Sequence, residues 1–132
     1  MANQNTIVAD FKGKVDFGII TIREDEFEAI LQRFPPEQLV HGRQTYAIAK
    51  LKTIKDEEYV IASVRCPEQG NGEGQTTAFT LIEELGPQWI LLVGIAGAVP
   101  AYEYTLGDVL LATRLHDFCV SASIEDVDGK ET

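Results

Sequence analysis

Hydrophobic positions along the chain form two patterns, and each pattern predicts a different kind of element. Short runs rich in β-branched residues predict strands, whereas apolar residues spaced three and four apart predict helices. Strands are predicted at 15–22 and at 89–93, and the second run is so continuously apolar that burial on both faces is expected. Two more are predicted at 46–49 and 58–64, joined as a hairpin.

Helices are predicted at 23–34 and at 75–85. In the first, Phe27, Ile30, Leu31 and Phe34 recur at helical spacing, and two prolines follow immediately. The second carries a similar apolar face and stops at Gly86. The polar residues 37–43 indicate a connector without regular structure.

A last apolar run, at 109–112, predicts one more strand. The resulting order of strand, helix, hairpin, helix, strand and strand predicts an α/β fold, with a mixed central β-sheet flanked by helices. The polar residues 1–14 are interpreted as a flexible leader, and 15–132 as the N-terminal part of a larger domain, for the reason given below.

Composition narrows the function classes. With 132 residues, 45% hydrophobic and 24% charged, the chain has the make-up of one globular domain. Its net charge of −10 repels phosphate backbones and anionic lipids, so neither nucleic acid nor membrane is expected as a partner. Cys66 and Cys119 lack the spacing of metal ligands, so no metal or cofactor is expected, and free thiols suggest the cytoplasm.

Unusual residues gather at three predicted strand ends, where α/β sheets commonly bind ligands. They are the acids Glu24-Asp25-Glu26, the glycine-rich Gly70-Asn71-Gly72 and the small-residue bend Gly94-Ile95-Ala96-Gly97. Each has a structural alternative, since acids favour helix starts, glycines form turns and small residues allow close packing. The functional alternatives are a general base, an anion-binding loop and a bend that approaches a flat ligand. The glycine loop lacks the lysine of a P-loop and has Glu73 beside it, which disfavours phosphate.

Four segments, in their order and spacing, resemble the nucleoside phosphorylase and nucleosidase superfamily. The nearest branch is similar to the methylthioadenosine/S-adenosylhomocysteine nucleosidases. The segments are FGIITIREDEF at 17–27, QGNG at 69–72, WILLVGIAG at 89–97 and LGDVLLA at 106–112. The resemblance implies an α/β sandwich and cleavage of the N-glycosidic bond of a purine nucleoside.

The resemblance also implies roles for individual residues. Glu26 matches the glutamate that activates water, and Arg23 matches a position beside the substrate. Ile95, Ala96 and Gly97 match the segment that lines ribose and base. In this reading the partners are a small-molecule nucleoside and further copies of the chain, in a homo-oligomer.

Two departures from the family pattern favour hydrolysis over phosphorolysis. Ile95 stands where relatives often carry serine or threonine, and Leu92 stands where phosphorylases keep an arginine. The resemblance extends over about the N-terminal half of the family domain, so a Met-Glu pair and a Ser-Asp motif from the second half have no counterpart. We therefore expect residues 1–132 alone to be nearly inactive.

Three other interpretations remain open at this point. One is a nucleoside phosphorylase. Another is a non-catalytic nucleoside-binding sensor or assembly module of a larger signalling or defence protein, which the missing hydroxyl at Ile95 favours. The third is an unrelated flavodoxin-like α/β domain, in which a bound flavin would be visible by its colour.

Overall fold

The computed structural model describes residues 7–97, 103–114 and 116. The chain divides into two units, 1–96 and 97–132, which are treated separately. All helices and strands of the described residues lie in the first unit. The predicted leader falls partly outside the description, at 1–6, as do Cys119 and most of the last twenty residues.

A five-stranded mixed sheet forms the centre of the first unit. Its strands are β1 (Phe17–Thr21), β2 (Gln38–His41), β3 (Thr45–Lys52), β4 (Glu58–Arg65) and β5 (Trp89–Leu92). Their order is β2-β3-β4-β1-β5; β1 runs parallel to β4 and β5, whereas β3 runs antiparallel to its neighbours β2 and β4. The α/β class, the mixed sheet and the hairpin are therefore confirmed.

The register of the parallel strands decides where a site can form. Thr21 at the end of β1 pairs with Arg65 at the end of β4, and Ile20 pairs with Leu92 at the end of β5. Because the three strands run the same way, their carboxyl ends lie side by side. The segments that follow them therefore start at one edge of the sheet.

Two helices connect these strands. Helix α1 (Glu24–Arg33) follows β1 after two residues, and α2 (Asn71–Leu85) leads from β4 to β5. Leu81 and Leu85 of α2 are fully buried in a core with Ile20, Tyr46 and Ile48. Helix α1 has no fully buried residue, so α2 makes the larger contribution to the core.

The residues just before β1 also contact the core. A short 3₁₀ helix (Val8–Asp10) is followed by Phe11, and the side chains of Val8 and Phe11 pack against the core cluster. Gly13 donates its N–H to the Leu85 carbonyl at the end of α2, with a distance of 2.8 Å. Residues 7–14 thus contact the domain in the structure.

The structure contains one strand that the sequence did not predict and one helix that starts earlier than predicted. The predicted connector contains β2, in which Val40 is buried while Gln38, Leu39 and His41 are exposed. One inward side chain gives too little apolar pattern to indicate a strand. Helix α2 begins at Asn71, whereas the sequence predicted a start at residue 75. The earlier start was missed because the first turn is glycine-rich and glycine has low helix propensity.

Two predictions about the later strands were wrong. β5 forms, but it is not buried on both faces: Trp89 is 64% exposed and Leu92 is 65% exposed. In the described residues β5 pairs only with β1, so its outer edge has no strand beside it. Residues 109–112 form no strand, and Val109 is 94% exposed, because no neighbouring strand pairs with this run within the described part of the chain.

No helix among the described residues combines the length and apolar character needed to cross a membrane.

Candidate functional site

The carboxylate of Glu26 links the start of α1 to the segment after β5. Its Oε1 atom accepts hydrogen bonds from the backbone N–H groups of Ile22, at 3.2 Å, and Arg23, at 2.9 Å. These donors precede the helix, and a glutamate at the third helical position commonly reaches back to such groups. Its Oε2 atom accepts from the Ile95 N–H at 2.6 Å. One side chain therefore holds two strand ends together.

The close approach of these two ends follows from the pairing of β1 and β5. The Val93 N–H donates to the Ile20 carbonyl at 2.9 Å, which extends the strand pairing by one residue. Gly94 comes next, and its missing side chain leaves room for the Glu26 carboxylate. The structure thus brings Glu26 together with Gly94 and Ile95, as the sequence predicted. Ala96 ends the first unit and is exposed, and Gly97 belongs to the second unit.

The surroundings of Glu26 favour its ionised form. Desolvation by burial acts to raise the pKa of this half-buried carboxyl, and the charge of Asp25 acts in the same direction. Hydrogen bonds from the backbone N–H groups of Arg23, Ile95 and Ile22 outweigh both, so that the pKa of Glu26 lies below its ordinary value. Glu26 is therefore a carboxylate at neutral pH. Among the described contacts, Oε2 keeps one lone pair free to accept a proton or a hydrogen bond.

Arg23 and Asp25 form a bidentate ion pair beside this carboxylate. The Arg23 Nε and Nη2 atoms donate to the two Asp25 oxygens at 2.9 and 3.0 Å, and both side chains are more than half exposed. The hydrogen bond to Asp25 raises the pKa of Arg23, and the same bond lowers the pKa of Asp25. A ligand that used Arg23 would therefore have to compete with Asp25 for it.

A cavity of about 540 Å³ lies at the ends of β1 and β4. Its lining combines four acids and two arginines with one amide and two apolar residues: Ile22, Arg23, Glu24, Asp25, Glu28, Arg65, Pro67, Glu68 and Gln69. The excess of carboxylates disfavours a phosphate group and suits hydroxyl or amine donors of a neutral ligand. Glu26 itself is not part of this lining, and its carboxylate contacts the bend instead.

The glycine-rich segment contributes to the cavity only through its neighbour. Gln69 lines the cavity, whereas Gly70 is the residue that caps α2 and Gly72 lies in the first turn of the helix. Asn71 begins α2. The structure therefore places Gly70, Asn71 and Gly72 beside the cavity and not in its wall.

Arg65 is a residue that the sequence analysis missed. It ends β4, lines the cavity and donates its Nε–H to the Ile22 carbonyl at 3.0 Å. Its position directly after a predicted strand is a signal in the sequence, but its place at the cavity depends on the parallel pairing of β4 with β1. Cys66, the next residue, is buried and has its Sγ atom 3.1 Å from the Glu68 carbonyl oxygen. No group of three metal-binding side chains converges within the described residues.

Comparison with known proteins provides the wider context. A family model described as the phosphorylase superfamily matches residues 16–130. The search of curated proteins gave no match. Among solved structures, a 5′-methylthioadenosine/S-adenosylhomocysteine nucleosidase from Campylobacter jejuni is similar, with 28% identity and a TM-score of 0.47. That alignment covers 64% of this chain and 34% of the nucleosidase, so the chain spans about a third of that protein's length.

Proposed function

The chain belongs to the phosphorylase superfamily, and on that basis we propose that it contributes to hydrolysis of the N-glycosidic bond of a purine nucleoside. Glu26 is proposed as the base that takes a proton from the attacking water. The observation that carries the proposal is the contact between Glu26 Oε2 and the Ile95 N–H. It holds an ionised carboxylate at the small-residue bend, which we propose lines the ribose.

The proposed chemistry needs a carboxylate at this position. Breaking the bond between ribose and base builds positive charge on the sugar, as in glycoside hydrolysis generally. The water oxygen bonds to the anomeric carbon as the electron pair of the broken bond leaves with the base nitrogen. The water proton passes to the free lone pair of Glu26 Oε2. A negative charge fixed by three N–H groups also stabilises the developing cation.

Several features favour water over phosphate as the acceptor. The cavity beside the start of α1 contains Glu24, Asp25, Glu28 and Glu68, which repel a phosphate dianion. Leu92 and Ile95 supply neither an arginine nor a hydroxyl group to bind one. We therefore propose Arg23 and the backbone of Ile95, Ala96 and Gly97 as contacts to a neutral nucleoside.

Replacing Glu26 with glutamine tests the catalytic assignment. Methylthioadenosine, S-adenosylhomocysteine, adenosine and inosine are incubated with residues 1–132 and with any longer form that continues past Thr132, and free base is quantified by chromatography. Glu26→Gln should lower the release of base by about 10²- to 10⁴-fold, the usual contribution of a general base. Glu57→Gln, in the exposed turn between β3 and β4, is the matched control and should not change the rate. In a form whose wild type releases base, an unchanged rate in Glu26→Gln would reject the assignment.

A non-catalytic nucleoside-binding module is the second candidate. It is favoured by the observation that both oxygens of Glu26 already accept backbone N–H groups, as a purely structural clamp would. The two candidates differ in one measurable respect. A module shifts the NMR signals of the bend when a nucleoside is added, but releases no base from any of the four substrates.

A further inference from the structure

We propose that Gly94 is a positioning residue, because the absence of a side chain at this position lets the Ile95 N–H reach and hold the Glu26 carboxylate. The inference rests on the proposed function where it concerns catalysis. The contact between the Ile95 N–H and Glu26 does not depend on the proposed function and can be measured separately.

The space around Gly94 supports this assignment. A Cβ atom built on Gly94 would lie 2.9 Å from Glu26 Oε2 and 3.4 and 3.5 Å from two further atoms of the same carboxylate. These are the three nearest atoms to that position. Any side chain at residue 94 would therefore meet Glu26 first.

The backbone gives no other reason for a glycine here. The φ angle of Gly94 does not lie in the left-handed region, unlike those of Gly70 and Gly86. Its φ angle therefore does not exclude alanine. The requirement for glycine at this position thus arises from the close approach of Glu26, and Gly94→Ala isolates that contact.

The expected response is a movement of the carboxylate and not of the fold. The atom that would clash is at the far end of a flexible side chain, so Glu26 can rotate away from a new methyl group. It would then lose the 2.6 Å hydrogen bond from the Ile95 N–H. Since that bond stabilises the charged form, its loss raises the pKa of Glu26.

Charged side chains also lie near Glu26, and the charge of Asp25 acts on its titration. Arg23 and Asp25 lie at the start of α1, and Arg65 and Glu68 line the adjoining cavity. The substitution changes none of these four residues. A change in the titration of Glu26 therefore reports on the contact with the bend.

The experiment is an NMR titration of residues 1–132, following the Glu26 carboxyl carbon and the Ile95 amide proton between pH 2 and 8. In the wild-type protein both signals should follow one titration. In Gly94→Ala the carboxyl titration should move to higher pH, since an N–H group that donates to a carboxylate lowers its pKa. The Ile95 amide should no longer follow it. Gly74→Ala is the control, because residue 74 has open space around it and lies in α2.

Two results would overturn the inference. One is a Glu26 titration in Gly94→Ala that coincides with that of the wild type. The other is an Ile95 amide that still follows the Glu26 titration in the variant. Failure of the catalytic proposal can be distinguished from failure of this inference. If Glu26→Gln still releases base, the catalytic proposal fails, but the titrations of the wild type and of Gly94→Ala are unaffected.

Discussion

At the scale of single residues, Glu84 resembles Glu26 in using its carboxylate to connect distant parts of the chain. Its Oε1 accepts the Tyr46 hydroxyl at 2.8 Å, and its Oε2 accepts the Arg43 N–H at 2.9 Å. Burial, and then the hydrogen bond to Glu84, raises the pKa of Tyr46. Glu84 thereby connects α2 to the turn between β2 and β3 and to the buried side chain of Tyr46 in β3.

Removing the Tyr46 hydroxyl should destabilise the protein. Tyr46→Phe leaves one oxygen of a half-buried carboxylate without its partner, so the free energy of unfolding should fall by about 1–2 kcal/mol. Urea denaturation measures this change. Tyr59→Phe is the control, because the Tyr59 ring contacts Phe17 edge-on while its hydroxyl has no hydrogen bond among the described contacts. Equal losses in the two variants would contradict the role of Glu84.

The same substitution has a predictable pH dependence. Because the folded-state pKa of Tyr46 is raised, its contribution to stability is fully present below the unfolded-state value of about 10. It is lost as the pH rises through the folded-state pKa. The wild-type protein should therefore lose more stability than Tyr46→Phe between pH 9 and 11, and parallel losses would be evidence against the shift.

At the scale of elements, the sequence predicted the helices and strands whose own residues show a clear apolar pattern. β1, α1 and the hairpin of β3 and β4 all carry enough inward residues to be recognised. β2 has only Val40 inward, and the exposure of β5 depends on what lies beside it in space. The strand β2 forms because it pairs with β3, and the exposure of β5 depends on its neighbours. The residues of these two segments alone could therefore not predict either result.

Packing of α2 on β1 leads to a second stability prediction. A Cβ atom at Gly18 would lie 2.7 Å from Leu81 Cδ2 and 3.3 Å from Pro87 Cγ. Leu81 is fully buried, so a methyl group at residue 18 should overpack the core, and Gly18→Ala should lower the free energy of unfolding by about 1–3 kcal/mol. Gly74→Ala, in the open part of α2, should instead raise it by up to about 1 kcal/mol. Urea denaturation of both variants checks the pair, and a Gly18→Ala protein as stable as the wild type would refute the close packing.

The candidate site shows a similar division between local and tertiary information. Parallel strands place their carboxyl ends together, so the meeting of Glu26 with the bend at residues 94 and 95 could be predicted. The convergence of three N–H groups on this one carboxylate could not be predicted, because the donors come from positions as far apart as 22 and 95. The contribution of Arg65 to the cavity also required the register of β4 against β1.

At the scale of the whole molecule, we predict that the β5 edge of the sheet and the net charge act in opposite directions on association between copies. The outer edge of the sheet at β2 is partly covered, since Ile7 forms a bridge with His41. The edge at β5 exposes Trp89 and Leu92, and such an apolar edge favours pairing with another chain. A net charge of −10 opposes the approach of a second copy. The homo-oligomer thus remains a prediction, and the balance between these two features depends on salt.

Salt should shift this balance toward association. The Debye length falls from about 30 Å at 0.01 M to about 8 Å at 0.15 M, so repulsion between copies is screened while apolar contact is not. Sedimentation velocity should show a rising average mass between 0.01 and 0.5 M NaCl, and Leu92→Lys should suppress the rise. Ile54→Lys changes the net charge equally but lies in the exposed turn between β3 and β4, so it should associate like the wild type. If both lysine variants associate more readily than the wild type and to the same extent, net charge and not the β5 edge controls association. If the wild type stays monomeric at every salt concentration, the edge does not drive self-association.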